Sequence, residues 1–265
     1  KAAQGFARSK GIDVNDLETR EIDGGEYVAA VVKQTGRPTA EVLLEALPKL
    51  VAEIHFVKTM RWNESNLAFS RPIRWLLALF GQSAIQFEYA GLVAGNTTRG
   101  LRFSDSDDLP VKDAADYFKI IATQGILLDP AERMSEIENQ IQALADSVGG
   151  EIPHDTELLL EVTHLVEAPT ALLGEFDPSH LELPHEALIS VMKKHQRYFP
   201  IQKGGKQRAV SLMPHFITVA NKAGKGSYDL VIRGNEDVIR ARFADAAYFV
   251  REDMQKKIDD FVPEL

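Results

Sequence analysis

A helix followed by two strands is predicted by EVTHLVEAPTALLGEFDPSHLELPHEALISVMKKHQRYFPIQ (residues 161–202) and MPHFITVANK (213–222). In Pro184–Lys194 the apolar residues Leu, Ile and Met fall on one helical stripe. Tyr198–Gln202 and His215–Ala220 are short runs rich in β-branched and aromatic residues, with a glycine-containing loop between them. We therefore expect these two runs to pair as neighbouring strands beside the helix.

A long helix follows in VIRGNEDVIRARFADAAYFVRED (231–253), which we predict over Asn235–Lys257. Its apolar residues recur at spacings of three and four, as on the buried face of a helix. The residues expected inside are Val238, Ile239, Phe243, Ala246, Ala247 and Val250.

Upstream, the pattern also alternates between helical and extended segments. Gly24–Gly25 between two extended runs indicates a hairpin turn, because glycine adopts positive φ without strain. Thr39 follows Pro38 and is a candidate N-cap for an amphipathic helix. We predict helices over Ala2–Lys10, Thr39–Ile54, Val111–Thr123 and Pro130–Val148, strands over Pro72–Phe80 and Ala84–Tyr89, and a helix or strand over Leu158–Val166. The fold class expected is α+β, with mixed or antiparallel sheets and flanking helices.

Composition excludes several classes of protein. The 265 residues contain no cysteine, which rules out disulfides and thiolate metal sites and is typical of a reducing compartment. Apolar runs are all far shorter than the roughly 20 residues that span a bilayer. We therefore expect a cytoplasmic protein with no membrane partner. The chain begins at Lys1 and not with Met, and we expect it to be an internal fragment.

Charge is unevenly distributed along a chain whose net charge is −9. Residues 103–186 hold nineteen acidic and three basic residues, whereas residues 193–228 hold eight basic and no acidic ones. Such asymmetry indicates that one face meets a polyanion or an acidic partner, although a basic loop without a partner would give the same pattern.

Motifs for nucleotide chemistry are absent from the sequence. Neither the P-loop pattern nor the dinucleotide and nucleophile-elbow glycine patterns occur, and the seven histidines show no paired metal-ligand spacing. His154–Asp155 is an isolated dipeptide that suits a turn or helix cap better than a metal site. We predict no catalytic residue, no metal and no cofactor within this chain.

Three clusters remain as candidates for binding RNA. Arginine beside tryptophan can stack on bases or contact phosphates, but Trp75 runs into an apolar stretch and is expected in the core. A glycine-flanked loop can hold a phosphate through its backbone amides, and could equally be a structural anchor. The first cluster comprises Arg61, Trp62, Arg71, Arg74 and Trp75, and the second Thr97, Thr98, Arg99, Gly100 and Arg102.

The third cluster is KKHQRYF, residues 193–199. Its lysines could neutralise an RNA backbone while Tyr198 and Phe199 stack on unpaired bases. In the alternative, helix and strand meet here, the two aromatic residues are core, and Lys193 and Lys194 stabilise the helix C-terminus. A further polar group, Thr163, His164 and His195, could support hydrolysis if the side chains share a pocket.

The stretch 161–253 resembles the β subunit of the bacterial heterotetrameric glycyl-tRNA synthetase. The same family pattern continues in KTMRWNESNLAFSRPIRWLLALFG (58–81), in NTTRGLRF (96–103) and in the opening KAAQGFARSKGIDVNDLE. EVTHLVEAPTALLGEFD (161–177) is also distantly similar to the editing-type domain in β chains of phenylalanyl-tRNA synthetase. This second likeness implies an editing-type central body and says little about activity.

The resemblance implies a β-subunit fragment that binds tRNA(Gly) and assembles with an α subunit. ATP and Mg are then used by the α subunit, which carries the catalytic core. The alternatives are a hydrolytic editing module and a purely structural scaffold for the α subunit. The implied division is an N-terminal hairpin–helix segment (1–56), an editing-like body (57–230, with a helical insert at about 111–149) and the start of a helical domain (231–265). The residues we expect to contact RNA are Arg71, Arg74, Arg99, Lys193, Lys194 and Arg197.

Overall fold

The computed structural model describes residues 2–32, 36–102, 106–203, 211–222 and 226–255. Backbone contacts divide the chain into two compact units, Lys1–Asn96 and Thr97–Leu265. This division falls inside the body that the sequence predicts over 57–230, so the predicted boundaries and the contact-based one differ. None of the helices in the described ranges is long and apolar enough to cross a membrane.

The first unit opens with helix α1 (Ala2–Lys10), a 3-10 turn (Val14–Asp16) and the antiparallel hairpin β1 (Leu17–Ile22) and β2 (Gly25–Ala30). Positive φ falls on Asp23 (50°) and Gly24 (77°). A two-residue turn of this kind needs positive φ at both central positions, and aspartate tolerates it better than most residues. The predicted Gly24–Gly25 turn is therefore displaced by one residue, because Gly25 already pairs within β2.

Helix α2 (Thr39–Ala52) has the predicted amphipathic pattern, but none of its residues is buried. Pro38, and not Thr39, occupies the N-cap position, and no side chain caps the helix there. Thr39 is already helical, which leaves its hydroxyl out of place for a cap.

The remainder of this unit contains only short pairings. Strand β3 (Leu79–Phe80) pairs with β4 (Ser83–Ala84), and β5 (Glu88–Tyr89) pairs with β6 (Leu92–Val93). The strands predicted over 72–80 and 84–89 are therefore much shorter than expected. Each predicted strand is followed by a tight turn, with positive φ at Gly81 after the first and at Ala90 and Gly91 after the second.

The second unit is built around a four-stranded antiparallel sheet. After strands β7 (Thr97–Thr98) and β8 (Leu109–Pro110), its elements are α3 (Tyr117–Thr123), α4 (Pro130–Ser147), β9 (Gly150–Glu151), α5 (Thr156–Leu165), β10 (Pro169–Glu175), α6 (His185–Ser190), β11 (Phe199–Lys203), β12 (Leu212–Asn221) and α7 (Tyr228–Asp253). The sheet order is β10-β12-β11-β9. The predicted pairing of the strands near 198–202 and 215–220 is confirmed, with Phe199 opposite Ile217.

Helices cover both faces of this sheet. Successive residues of a strand point to opposite sides, so apolar side chains on both faces are buried against helices. Ile217 and Phe199 face α4 and α5, in a cluster that includes Ile137 and Val162. Phe216, one residue earlier on β12, belongs to the opposite cluster, formed with α6 and α7 by Phe176, Leu188, Met192, Tyr198, Leu212, Ile239 and Phe243. A Cβ added at Gly174 on β10 would lie 2.5 Å from the Phe216 ring, so packing of this ring requires glycine there.

Helix α7 begins seven residues before its predicted start, at Tyr228. Of the apolar residues expected inside, only Ile239 and Phe243 are buried. Val238 is 38% exposed and contradicts the prediction. The helix touches the sheet through a narrower stripe than its apolar pattern suggests.

Candidate nucleic-acid interface

The basic turn at residues 193–199 is formed by an unusual helix end. Helix α6 continues as one π-helical turn over Val191–Gln196, and Arg197 then adopts left-handed φ and ψ of 57° and 37°. The Tyr198 amide donates to the Met192 carbonyl, which closes the turn. Wide turns of this type are uncommon and recur at functional sites.

The two aromatic residues after the turn do not offer stacking surfaces. Tyr198 and Phe199 are buried, and the Tyr198 ring stacks on Phe216 with centroids 4.9 Å apart. The Tyr198 hydroxyl donates to the side-chain oxygen of Asn235 on α7, and burial raises the Tyr198 pKa to about 12. Of the two alternatives, the structure therefore favours the one in which both aromatic residues belong to the core.

Two of the three cations in this turn are paired with carboxylates of α5. Arg197 Nε donates to Glu161 Oε1 at 2.8 Å, and its Nη1 donates to both the Lys194 and His195 carbonyls. Lys193 pairs with Asp155, which also caps α5 by accepting from the Leu158 amide. These pairs tie the basic turn to the start and middle of α5.

Asp155 is held in its charged form by these contacts. Partial burial would raise the pKa of its carboxyl, but the Leu158 amide and the Lys193 ammonium outweigh burial and hold the pKa below its usual value. One Asp155 oxygen is fully buried, and among the described residues Lys193 is its partner. Lys193 therefore has a structural role.

Lys194 differs from its two neighbours. Its side chain is exposed, and it forms no ion pair with any residue in the described ranges. His195 is exposed as well. Part of the basic stretch identified in the sequence, including Lys206, Arg208 and Lys225, lies outside the described residues.

The second cluster forms a compact loop. Arg99 Nε donates to Asp108 Oδ1 at 2.7 Å, and the Gly100 amide donates to Ser106 Oγ at 2.7 Å. A Cβ at Gly100 would lie 2.7 Å from the Gln124 side-chain oxygen, so glycine allows this close approach. Thr98 is buried. The amide expected to grip a phosphate is thus already bonded, which favours the alternative of a structural anchor.

The first cluster lies in the irregular part of the first unit. Arg71 and Arg74 are exposed, and the Arg74 guanidinium lies over the Trp75 ring, 5.8 Å from its centroid. Arg61 donates to the Asn66 carbonyl at 2.9 Å. Trp75 itself is 37% exposed, which contradicts its expected place in the core.

The side chains suggested for hydrolysis do not share a pocket. Thr163 is fully buried, and its hydroxyl donates to the Leu159 carbonyl within α5. His164 and His195 are exposed. Because the Thr163 side chain has no exposed area, it cannot contact a substrate bound at the protein surface. These three residues therefore do not form a catalytic group.

The sequence motifs gave no sign of a cleft of about 560 Å³ in the second unit. It lies where the end of β10 meets β12 and α7, and the Glu175 amide donates to Glu236 Oε1 at 3.0 Å. Its carboxylates disfavour phosphate, and no described group of His, Asp and Glu is arranged to hold a metal ion. The cleft is lined by Glu175, Phe176, Asp177, Pro178, His180, Pro214, His215, Glu236 and Arg240.

Comparison with known proteins identifies the family. A family model described as the glycyl-tRNA synthetase beta subunit matches residues 1–265. The chain belongs to this family. The resemblance carried by 161–253, 58–81 and 96–103 is therefore confirmed.

Curated relatives of the glycyl-tRNA synthetase beta subunit family agree along the whole chain. The proteins from Desulforamulus reducens and Moorella thermoacetica are each 46% identical, over 97% and 100% of this chain, and that from Clostridioides difficile is 42% identical over 100%. All three are named glycine–tRNA ligase beta subunit. This chain spans only 36–38% of their length.

Proposed function

We propose that this part of a glycine–tRNA ligase β subunit contributes tRNA binding and subunit assembly to the ATP-dependent charging of tRNA with glycine. The proposal places the catalytic core, ATP and Mg on a partner α subunit. It is supported by family membership along the whole chain together with exposed cations at Arg71, Arg74 and Lys194. Exposed cations, with no nucleophile–base pair recognised among the described residues, suit binding of a polyanion better than chemistry.

The six candidate cations fall into two groups by their present contacts. Arg99, Lys193 and Arg197 each face a carboxylate, so an RNA phosphate would have to displace Asp108, Asp155 or Glu161. Arg71, Arg74 and Lys194 form no ion pair with a described residue. We therefore assign the first phosphate contacts to this second group.

The editing alternative loses the trio that supported it in the sequence, because Thr163 is buried whereas His164 and His195 are exposed. The scaffold alternative is supported by the paired state of Lys193 and Arg197, which fixes the basic turn to α5. Retention of full tRNA affinity after removal of the unpaired cations would favour the scaffold.

Neutralising Lys194 should weaken tRNA binding by the assembled ligase and reduce its salt dependence. Each lost phosphate contact lowers the slope of log affinity against log salt by roughly 0.7–0.9. Arg197→Ala should have a smaller effect, because its guanidinium is engaged by Glu161. Glu161→Gln should strengthen binding, since it releases that guanidinium. The measurement is a salt titration of tRNA binding for each variant.

Lys119→Ala is the matched control. Lys119 is an exposed lysine in the acidic part of the same unit, and its removal should leave the salt slope unchanged. If wild type, Lys194→Ala and Lys119→Ala give equal slopes of log affinity against log salt, the basic turn is not part of the tRNA interface.

A further inference from the structure

An exposed tryptophan beside two arginines stands out in the first unit. Trp75 opens an apolar run, yet 37% of its surface is exposed while Leu76 and Leu77 after it are more covered. The Arg74 guanidinium lies over its ring at 5.8 Å, within the range of a cation–π contact. A ligand can contact the exposed part of this ring, and burial of that apolar area is favourable.

The surrounding segment is positive in an otherwise negative chain. Residues 57–96 contain four basic residues (Lys58, Arg61, Arg71 and Arg74) and two acidic ones (Glu64 and Glu88), a net charge of +2 against −9 for the whole chain. Positive charge with an exposed aromatic ring indicates a ligand that is both anionic and flat.

Nucleic acid has both properties, and only its unpaired part can use them together. Bases in a duplex are stacked on their neighbours, whereas an unpaired base is free to stack on an aromatic ring or on a guanidinium plane. Stacking of one base is worth about 1–3 kcal/mol and does not depend on the identity of the base.

We propose that Arg74 and Trp75 form a stacking platform for an unpaired nucleotide of tRNA, with Arg71 contacting the adjacent phosphate. The inference rests on the proposed function and narrows it, because it assigns this surface to a single-stranded element of the RNA. The platform selects against duplex RNA, since a paired base cannot lie on the ring.

Tryptophan fluorescence provides a direct test. The chain has two tryptophans, so Trp62→Phe leaves Trp75 as the only one. We expect a short single-stranded oligoribonucleotide to quench the Trp75 emission, and a blunt duplex of the same sequence to leave it unchanged. Equal quenching by both, or by neither, would overturn the platform.

Substitutions provide a second test, with fluorescently labelled single-stranded RNA as the ligand. Trp75→Ala should lower affinity about 5- to 150-fold, which corresponds to the energy of one stacked base. Arg74→Gln leaves the ring in place and should also lower affinity, with a smaller salt slope. Phe80→Ala removes an aromatic ring of the same unit that is 52% exposed, and should change nothing. Circular dichroism of Trp75→Ala separates loss of stacking from loss of fold.

The failure of this inference is distinct from failure of the proposed function. If whole tRNA binds the wild type and Trp75→Ala equally well, the platform is wrong and the proposed function stands. If whole tRNA does not bind the wild type even at low salt, tRNA binding by this chain is wrong, and the platform is wrong with it.

Discussion

Phe243→Ala should lower the free energy of unfolding of the second unit by about 3–5 kcal/mol. The Phe243 side chain is fully buried between α7 and the sheet, where its ring meets Phe176 edge-on with centroids 4.9 Å apart. His180 contacts the same ring at 5.4 Å. Truncation removes this area of contact and leaves a cavity that neighbours on a sheet and a helix can only partly fill.

Urea-induced unfolding of the chain and its variants measures this effect. Phe249→Ala is the matched control, because Phe249 lies on the same helix and is 62% exposed. Its stability should stay within about 0.5 kcal/mol of the wild type. Similar losses for the two variants would show that α7 does not dock through Phe243.

Arg133→Met should cost about 3 kcal/mol for a different reason. Arg133 is a buried cation on α4, and its guanidinium donates to the carbonyls of Leu127, Leu128 and Thr163. The Thr163 carbonyl lies at the last turn of α5, where helix carbonyls have no intrahelical partner. Methionine fills a similar space but donates nothing, and each unsatisfied buried carbonyl costs about 1–3 kcal/mol.

The same unfolding experiment tests this prediction. Arg242→Met replaces an exposed arginine of α7 and should be close to neutral. If Arg133→Met and Arg242→Met have the same free energy of unfolding, apolar packing alone can replace the buried guanidinium. The predicted difference is large because the partners of Arg133 are backbone groups that cannot move away.

Local patterns predicted two of the four strands in the sheet of the second unit. Runs of β-branched and aromatic residues indicated β11 and β12, which pair antiparallel. Burial on α7 was overestimated at Val238, because amphipathic spacing shows which side of a helix is apolar and not how much of that side is covered. In the first unit Trp75 was misplaced because it opens an apolar run, and such a run does not show that every one of its residues is covered.

The candidate site was harder to predict, because its pairs are remote in sequence. Lys193 and Arg197 looked like available cations, yet their carboxylates, Asp155 and Glu161, lie about 40 residues earlier on another helix. Spacing along the chain carries no information about such contacts. Lys194 lies in the same π-helical turn, yet its side chain is exposed and forms no ion pair with a described residue.

Charging of tRNA with labelled glycine by the assembled ligase tests the central claim most directly. A full-length β subunit carrying Arg71→Ala, Arg74→Ala and Lys194→Ala should combine with the α subunit and show a raised KM for tRNA, because phosphate contacts are lost. Glycyl-adenylate formation, which needs no tRNA contact, should be unchanged, and the 265-residue chain alone should form none. Adenylate formation by the chain alone, or an unchanged KM for tRNA in the triple variant, would contradict the account.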